Sequence, residues 1–299
     1  MLEEWRGPPP ERTLAWAVAA VGGGRVTALR RLGSGHWHVN HSLTIAGADD
    51  RVRRLVLRRW ARPGWEREDP DFTAEREIAV LDLLSDSEVP VPQVVAADPV
   101  GEKCDVPTLL LSRLPGRPPG LPADAGSFLH GLAETLVAIH AIRGAQERIP
   151  GYRRYYDPSA ARPPAWAARP RVWERAIAAA SSPAPAGPRS FIHRDYHPEN
   201  TLWVRGRLTG VVDWTSGSWG PVGADTGHMR WNLAVSYGLD AADEFLGAYR
   251  SLSGRELSDQ PYWDVATVLD VLPEIHERDW SRFDLDRIER YAERAIADL

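Results

Sequence analysis

The sequence predicts an α+β protein of two lobes, a β-rich lobe over residues 1–112 with one main helix and an α-rich lobe over residues 113–299. Three observations lead there. Short β-branched and apolar runs separated by glycine turns crowd the first 112 residues, and apolar residues at helical spacing dominate after residue 125. Between them lies a proline-rich string, RLPGRPPGLP at Arg113 to Pro122, of the kind that joins domains. With 299 residues and 43% hydrophobic content the chain can fill two cores.

Thr13 to Val21 reads as a short helix stopped by Gly22-Gly23-Gly24. Val26–Leu32, Val39–Ala46 and Arg53–Trp60 read as three strands, with GSGHWH, Gly33 to His38, between the first two. A Gly33-Ser34-Gly35 turn can bring backbone N–H groups against phosphate oxygens, because glycine adopts the dihedrals required; the string suits an ordinary hairpin turn equally. In the third strand, alternation sets Leu55, Leu57 and Arg59 on one face and Val56 and Arg58 on the other. The next helix, Thr73 to Leu84, has an apolar face of Ile78, Val80, Leu81 and Leu84, with Glu77 near its middle and Glu75 opposite. An acid on that face needs a cationic partner. Strands follow near Val94 and Val95 and at Thr108–Leu111.

In the second lobe Phe128, Leu132, Leu136 and Ile139 mark a core helix over Ala125–Ile142, in which His140 reads as structural. Pro170 opens a helix over Arg171–Ala180. A helix is expected from about Thr226 with Asp225 as its N-cap, then others at Asp240–Ser251, Pro261–Glu277 and Leu285–Leu299. Tyr152, Tyr155, Tyr156 and Trp166, in the loop-rich stretch before the next motif, suit either a core or the walls of an acceptor site.

The chemistry lies in FIHRDYHPENTLWVRGRLTGVVD, Phe191 to Asp213. A strand, a polar loop and a hairpin about Arg205-Gly206 would set Asp195, Asn200 and Asp213 at one end. Phosphoryl transfer needs such a set, a base for a hydroxyl proton and oxygen ligands for magnesium. Asp195 then reads as the base, with Asn200 and Asp213 as metal ligands; the alternative is a polar loop whose acids merely cap and pair.

This string resembles the kinase catalytic loop HRDxxxxN, with Asp213 in the position of the DFG aspartate. Protein kinases and the aminoglycoside phosphotransferase-like small-molecule kinases share that loop, and the details are similar to the second group. His197 stands where a protein kinase has lysine, Trp214-Thr215 replaces Phe-Gly, and no APE follows. FIHRDYHPENTLW, GVVDW and GPVGAD resemble the aminoglycoside phosphotransferase family throughout, apart from Glu199, where that family often has glycine. The resemblance implies a protein-kinase-like fold, ATP (with GTP as an alternative) and Mg2+ as cofactors, and a small-molecule hydroxyl acceptor as partner. It implies that Gly33, Ser34 and Gly35 form a flap over the phosphates, and that the Ser112 carbonyl and Leu114 N–H in LLLSRLPG read the adenine. Arg58 stands where the family has its phosphate-binding lysine, paired with Glu77. The single lysine, Lys103, lies too far downstream to serve. Arginine stays charged and grips phosphate with a fork of donors, but its shape differs from that of lysine. The family also implies that Asp225 buttresses the catalytic loop, a role that competes with capping.

A net charge of −5 argues against a nucleic-acid partner and is compatible with a cationic small substrate. Cys104 is the only cysteine, which excludes an internal disulfide. The N-terminal stretch lacks an apolar signal core and no run approaches the ~20 residues of a membrane span, so no membrane partner and a cytoplasmic location are expected. Asp264, Asp270, Glu274, Glu277 and Asp279, on or after one helix, would suit a polycation, whereas thirteen tryptophans suit a macrolide or a metabolite. The expected function is an ATP- and magnesium-dependent phosphotransferase acting on an aminoglycoside or related antibiotic. The alternatives are a kinase for choline-, amino-acid- or sugar-like metabolites and a nucleotide-binding pseudokinase.

Overall fold

The computed structural model describes residues 7–33, 38–61, 72–144, 146–277 and 280–299. The chain divides into two units, Met1–Pro115 with Gly210–Ser216, and Gly116–Thr209 with Gly217–Leu299.

The first unit is built on an antiparallel sheet ordered β1-β2-β3-β5-β4, from β1 (Gly24–Leu32), β2 (Val39–Gly47), β3 (Val52–Arg59), β4 (Val94–Asp98) and β5 (Thr108–Ser112). The expected period of two holds in β3, where Leu55 and Leu57 join Leu43, Ile45 and Leu110 in one core. Ala17 of α1 (Glu11–Ala20) closes that core, and each fully buried leucine or isoleucine in it contributes about 1.5–3 kcal/mol. Arg59 shares this face and is buried against Asp105, whose carboxylate also accepts from Thr13 Oγ1 at 2.8 Å. Between β3 and β4 lies α2 (Ala74–Leu84), which starts where Thr73 accepts a hydrogen bond from the Arg76 N–H at 3.1 Å. Residues 210–216 complete this unit. Val211 N–H donates to the Pro90 carbonyl at 2.8 Å, and the fully buried Trp214 donates its indole N–H to the Val211 carbonyl at 2.9 Å.

The second unit is mainly helical, with α3 (Ala125–Ala141), α4 (Pro170–Ala180), α5 (Val222–Tyr237), α6 (Leu239–Ser253), α7 (Gln260–Glu277) and α8 (Arg282–Ala297). The expected hairpin is present as β7 (Thr201–Val204) and β8 (Arg207–Val211), and the last residues of β8 belong to the first unit. Its turn, Arg205-Gly206, has φ of 51° and 77°, the left-handed pair that matches strand twist. A second antiparallel pair joins β6 (Arg189–Ile192), which leads into His193, with β9 (Ser218–Pro221); β9 was not expected. The helix expected from Thr226 with Asp225 as N-cap starts instead at Val222, after Pro221, which places Asp225 inside its first turn. This register presses α5 onto α7: a Cβ on Gly223 would fall 2.0 Å from the Trp263 ring. Among the described residues no helix is long and apolar enough to cross a membrane.

Candidate active site

In the first unit Arg58, Glu77 and Asp213 come together. Arg58 points away from the core face of β3 and is 4% exposed, Glu77 on α2 is 2% exposed, and Arg58 Nε donates to Glu77 Oε2 at 2.7 Å. Its Nη2 donates to Thr215 Oγ1 at 2.9 Å and to Asp213 Oδ1 at 2.5 Å, and Thr215 Oγ1 in turn donates to Glu77 Oε2 at 3.1 Å. One guanidinium therefore serves two carboxylates. Burial works against its charge, but Asp213 and Glu77 outweigh burial and hold the Arg58 pKa above its ordinary value. Asp213 sits at φ 66°, a left-handed conformation uncommon away from glycine. His38, 3.5 Å from Arg58 Nη2, is kept neutral by burial and by that cation.

In the second unit the loop from His193 to Asn200 rests on one buried acid. Asp225, wholly buried on α5, accepts the His193 N–H at 2.8 Å and the Arg194 N–H at 2.5 Å, with His140 Nε2 at 3.2 Å from the same carboxylate. Two charge-assisted bonds to successive backbone groups fix the turn that presents Asp195. Asn200, on the short helical turn Pro198–Asn200, donates its amide Nδ2 to the Asp195 carbonyl at 2.9 Å and to Asp195 Oδ2 at 3.0 Å. Asp195 Oδ1 lies 3.1 Å from His228 Nε2 and 3.8 Å from His197 Nε2. Burial pushes the Asp195 carboxyl up, but His197 and His228 more than offset it and leave the group well below the usual carboxylate range. Asp195 is ionised at neutral pH.

Asn200 spends its amide N–H groups on Asp195, which leaves Oδ1 as an acceptor, and Asp213 engages Arg58 through Oδ1, which leaves Oδ2. Of the expected flap, Gly33 is described, at φ 58°, while Ser34 and Gly35 lie outside the described residues. Ser112 ends β5, with its N–H on the Gln93 carbonyl at 2.8 Å and its hydroxyl accepting from the Gln93 N–H at 2.8 Å; Leu114 follows, half-buried. Two of the acids expected to suit a polycation are buried and paired. Arg230 Nε holds Asp264 Oδ2 at 3.0 Å, and Arg154 Nε holds Asp270 Oδ1 at 3.2 Å. Asp279 lies outside the described residues, and Glu274 and Glu277 belong to the last turn of α7.

Sequence reasoning missed His228 and Arg194. The signal for His228 was its place three residues after Asp225, hence on the same face of α5 as the loop's support. Arg194, at φ 72° and 7% exposed, lays its guanidinium 3.3 Å from the Tyr155 ring centre and lines a small cavity with Tyr152, His228, Thr267 and Asp270. Tyr152 and Tyr155 thus line this small cavity, whereas Trp166 packs on Trp173.

A model of the phosphotransferase enzyme family designated APH matches residues 40–260. No curated protein matches the chain in sequence. Among solved structures, a macrolide 2'-phosphotransferase from Brachybacterium faecium superposes with a TM-score of 0.64 at 18% identity, covering 95% of this chain and 98% of that one. A thermostable variant of aminoglycoside phosphotransferase APH(4)-Ia bound to AMP-PNP and hygromycin B gives 0.66 at 16% identity over 97% and 99%. An amicoumacin kinase with AMP-PNP, Ca2+ and amicoumacin gives 0.65 at 12% identity over 99% and 95%. At these identities the likeness is one of fold.

Proposed function

This chain belongs to the phosphotransferase enzyme family APH, and from that membership we propose that it moves the γ-phosphate of ATP to a hydroxyl of a small molecule, with Asp195 as the catalytic carboxylate. The observation that carries the reading is the Asp195–Asn200 bracket, held from below by Asp225. Phosphoryl transfer passes through a loose transition state, so the protein contributes position and charge more than covalent chemistry. An ionised Asp195 with a lowered pKa is a weak base. It orients the acceptor hydroxyl through an oxygen and takes the proton late, when bonding to phosphorus has already acidified it. Arg58 carries the positive charge that the nucleotide phosphates would meet, preset by Glu77 and Thr215. Asn200 and Asp213 would hold Mg2+, which supplies neutralisation of phosphate charge when bound. The turn at Gly33-Ser34-Gly35 and the backbone of Ser112 and Leu114 complete the nucleotide contacts in this reading.

The acceptor is a hydroxylated small molecule. Asp264 and Asp270, expected to greet a polycation, are spent on Arg230 and Arg154. That weighs toward an acceptor less cationic than an aminoglycoside, a macrolide-like antibiotic or a metabolite.

A second reading has one observation in its favour. Arg58 occupies Asp213 Oδ1 directly, as would suit a nucleotide-binding regulatory module that never assembles a metal site. Nucleotide turnover across a panel of macrolides, aminoglycosides and hydroxylated metabolites, with magnesium present and omitted, decides between them. The kinase reading expects magnesium-dependent transfer that falls about 10²–10⁴-fold in Asp195→Ala. Nucleotide binding without transfer to any acceptor selects the regulatory module, and no nucleotide binding at all overturns both.

A further inference from the structure

The side chains around Asp195 form a set that phosphate transfer does not require. Asp195, His197 and His228 each offer one ligand atom, and these three atoms lie within 4.8 Å of one another. Among the described residues no other group of three His, Cys, Asp or Glu side chains is assembled so closely. Two of the separations are 3.1 Å, from Asp195 Oδ1 to His228 Nε2, and 3.8 Å, from Asp195 Oδ1 to His197 Nε2. Around a tetrahedral ion with bonds of about 2.0–2.2 Å, neighbouring ligand atoms stand about 3.3 Å apart. The cluster is within a small side-chain adjustment of that geometry.

We propose that Asp195, His197 and His228 bind a transition-metal ion of the Zn2+ class, and that its occupation withdraws Asp195 from the acceptor hydroxyl, making the ion an inhibitor that competes with acceptor. Two imidazoles and one carboxylate, with a further position open to water, are a ligand set that borderline ions take readily. Magnesium prefers oxygen, so the pair Asn200 and Asp213 and this cluster select different ions.

Access and support are both present. The side chains of Asp195, His197 and His228 are 37%, 18% and 13% exposed, enough for an ion to enter and keep a water. The second carboxylate oxygen of Asp195 is fixed by the Asn200 amide, leaving Oδ1 turned to the two rings. His228 rides on the same turn of α5 as Asp225, which is tied to the loop backbone. His197 immediately precedes the short turn Pro198–Asn200. The ligands are thus set from two sides, by the short turn that carries Asn200 and by α5, the kind of outer support that tunes metal affinity.

Metal binding stands by itself, whereas the inhibitory consequence rests on the kinase reading. The test is a Co2+ titration of the full chain in excess Mg2+ without nucleotide, followed by visible absorption. The proposal expects intense bands of a four- or five-coordinate nitrogen–oxygen site, saturating at one ion per chain and bleached by Zn2+. In His228→Gln and, separately, His197→Gln, each checked for a wild-type thermal melt, Co2+ affinity falls by about tenfold or more. Weak bands of six-coordinate cobalt alone, or intense bands unchanged in whichever variant is folded, overturn it. In turnover assays Zn2+ should raise the apparent KM for acceptor in the native chain, with its inhibition constant weakened about tenfold or more in the same variants. Noncompetitive inhibition, or inhibition unchanged in the variants, overturns the second half. A chain that shows the cobalt bands but transfers no phosphate defeats the kinase reading and leaves the metal site standing; full turnover with blank spectra does the reverse.

Discussion

Replacing Arg58 by methionine removes the cation that pairs with Glu77, a glutamate that is 2% exposed. Arg58 makes hydrogen bonds of 2.7 Å to Glu77, 2.9 Å to Thr215 and 2.5 Å to Asp213, and its own side chain is 5% exposed. Breaking a buried pair from one side costs about 3–5 kcal/mol, because the remaining charge stays buried without compensation. Against the usual total of about 5–15 kcal/mol this is a severe loss. The double variant Arg58→Met/Glu77→Gln should recover more than half of it, since the surviving group is then neutral. A pH signature accompanies the single variant. Burial already pushes the Glu77 carboxyl up while Arg58 pulls it down, so without Arg58 its folded pKa rises further above the unfolded value of about 4.3. A group with a raised folded pKa contributes stability at low pH that is lost as pH rises through that value, so the deficit against the native chain shrinks from pH 7 toward pH 5. Urea unfolding, with hydrogen exchange of the β3 amides to localise the effect, measures it. A loss under about 1 kcal/mol, or a double variant no more stable than the single one, would refute the claim that Arg58 and Glu77 depend on each other.

Two further outcomes follow from buried groups. Asp225→Asn has one amide oxygen where the carboxylate accepts two backbone N–H groups, so one is left unpaired at a cost of about 1–3 kcal/mol; kcat should fall while nucleotide affinity holds, as equilibrium binding and steady-state kinetics would reveal. His41, buried on β2, has its pKa pulled down to about 4 by burial, then by Arg59 and Arg31. The unfolded chain takes that proton near pH 6.5 and the folded one only near 4, so acidification across this window removes about 2–3 kcal/mol, a slope that His41→Leu should flatten in acid denaturation curves.

The strands and helices that the sequence announced most clearly were those whose burial is periodic. β3 is the plainest case, because alternation sorted Leu55, Leu57 and Arg59 from Arg58, and helical phase chose Glu77 over Glu75. What stayed hidden was decided by partners far along the chain. Arg59 is buried because Asp105, itself held by Thr13, meets it, and β9 is a strand only because β6 lies beside it. Asp264 and Asp270 looked available to a polycation because Arg230 and Arg154, on other elements, could not be foreseen to neutralise them. Asp225 was misread for a local reason. Asp-Thr at 225–226 is a good capping string, yet the Gly-Pro at 220–221 had already signalled a helix start, and the early start turned Asp225 inward to the loop.

The first unit takes Gly210–Ser216 from far downstream, and this sets an order on biosynthesis. When Pro115 leaves the ribosome, Arg58 and Glu77 have been made but Asp213 and Thr215 have not. Roughly 90 residues intervene, about 5–20 s of translation at about 5–20 residues per second. Through that interval the nascent sheet holds an arginine lacking half its ligands, and Trp214, which ends wholly buried, has yet to arrive. The nascent N-terminal segment therefore waits on the C-terminal half, and ribosome-stalled chains ending before and after Ser216 should differ in the protease resistance of residues 7–115.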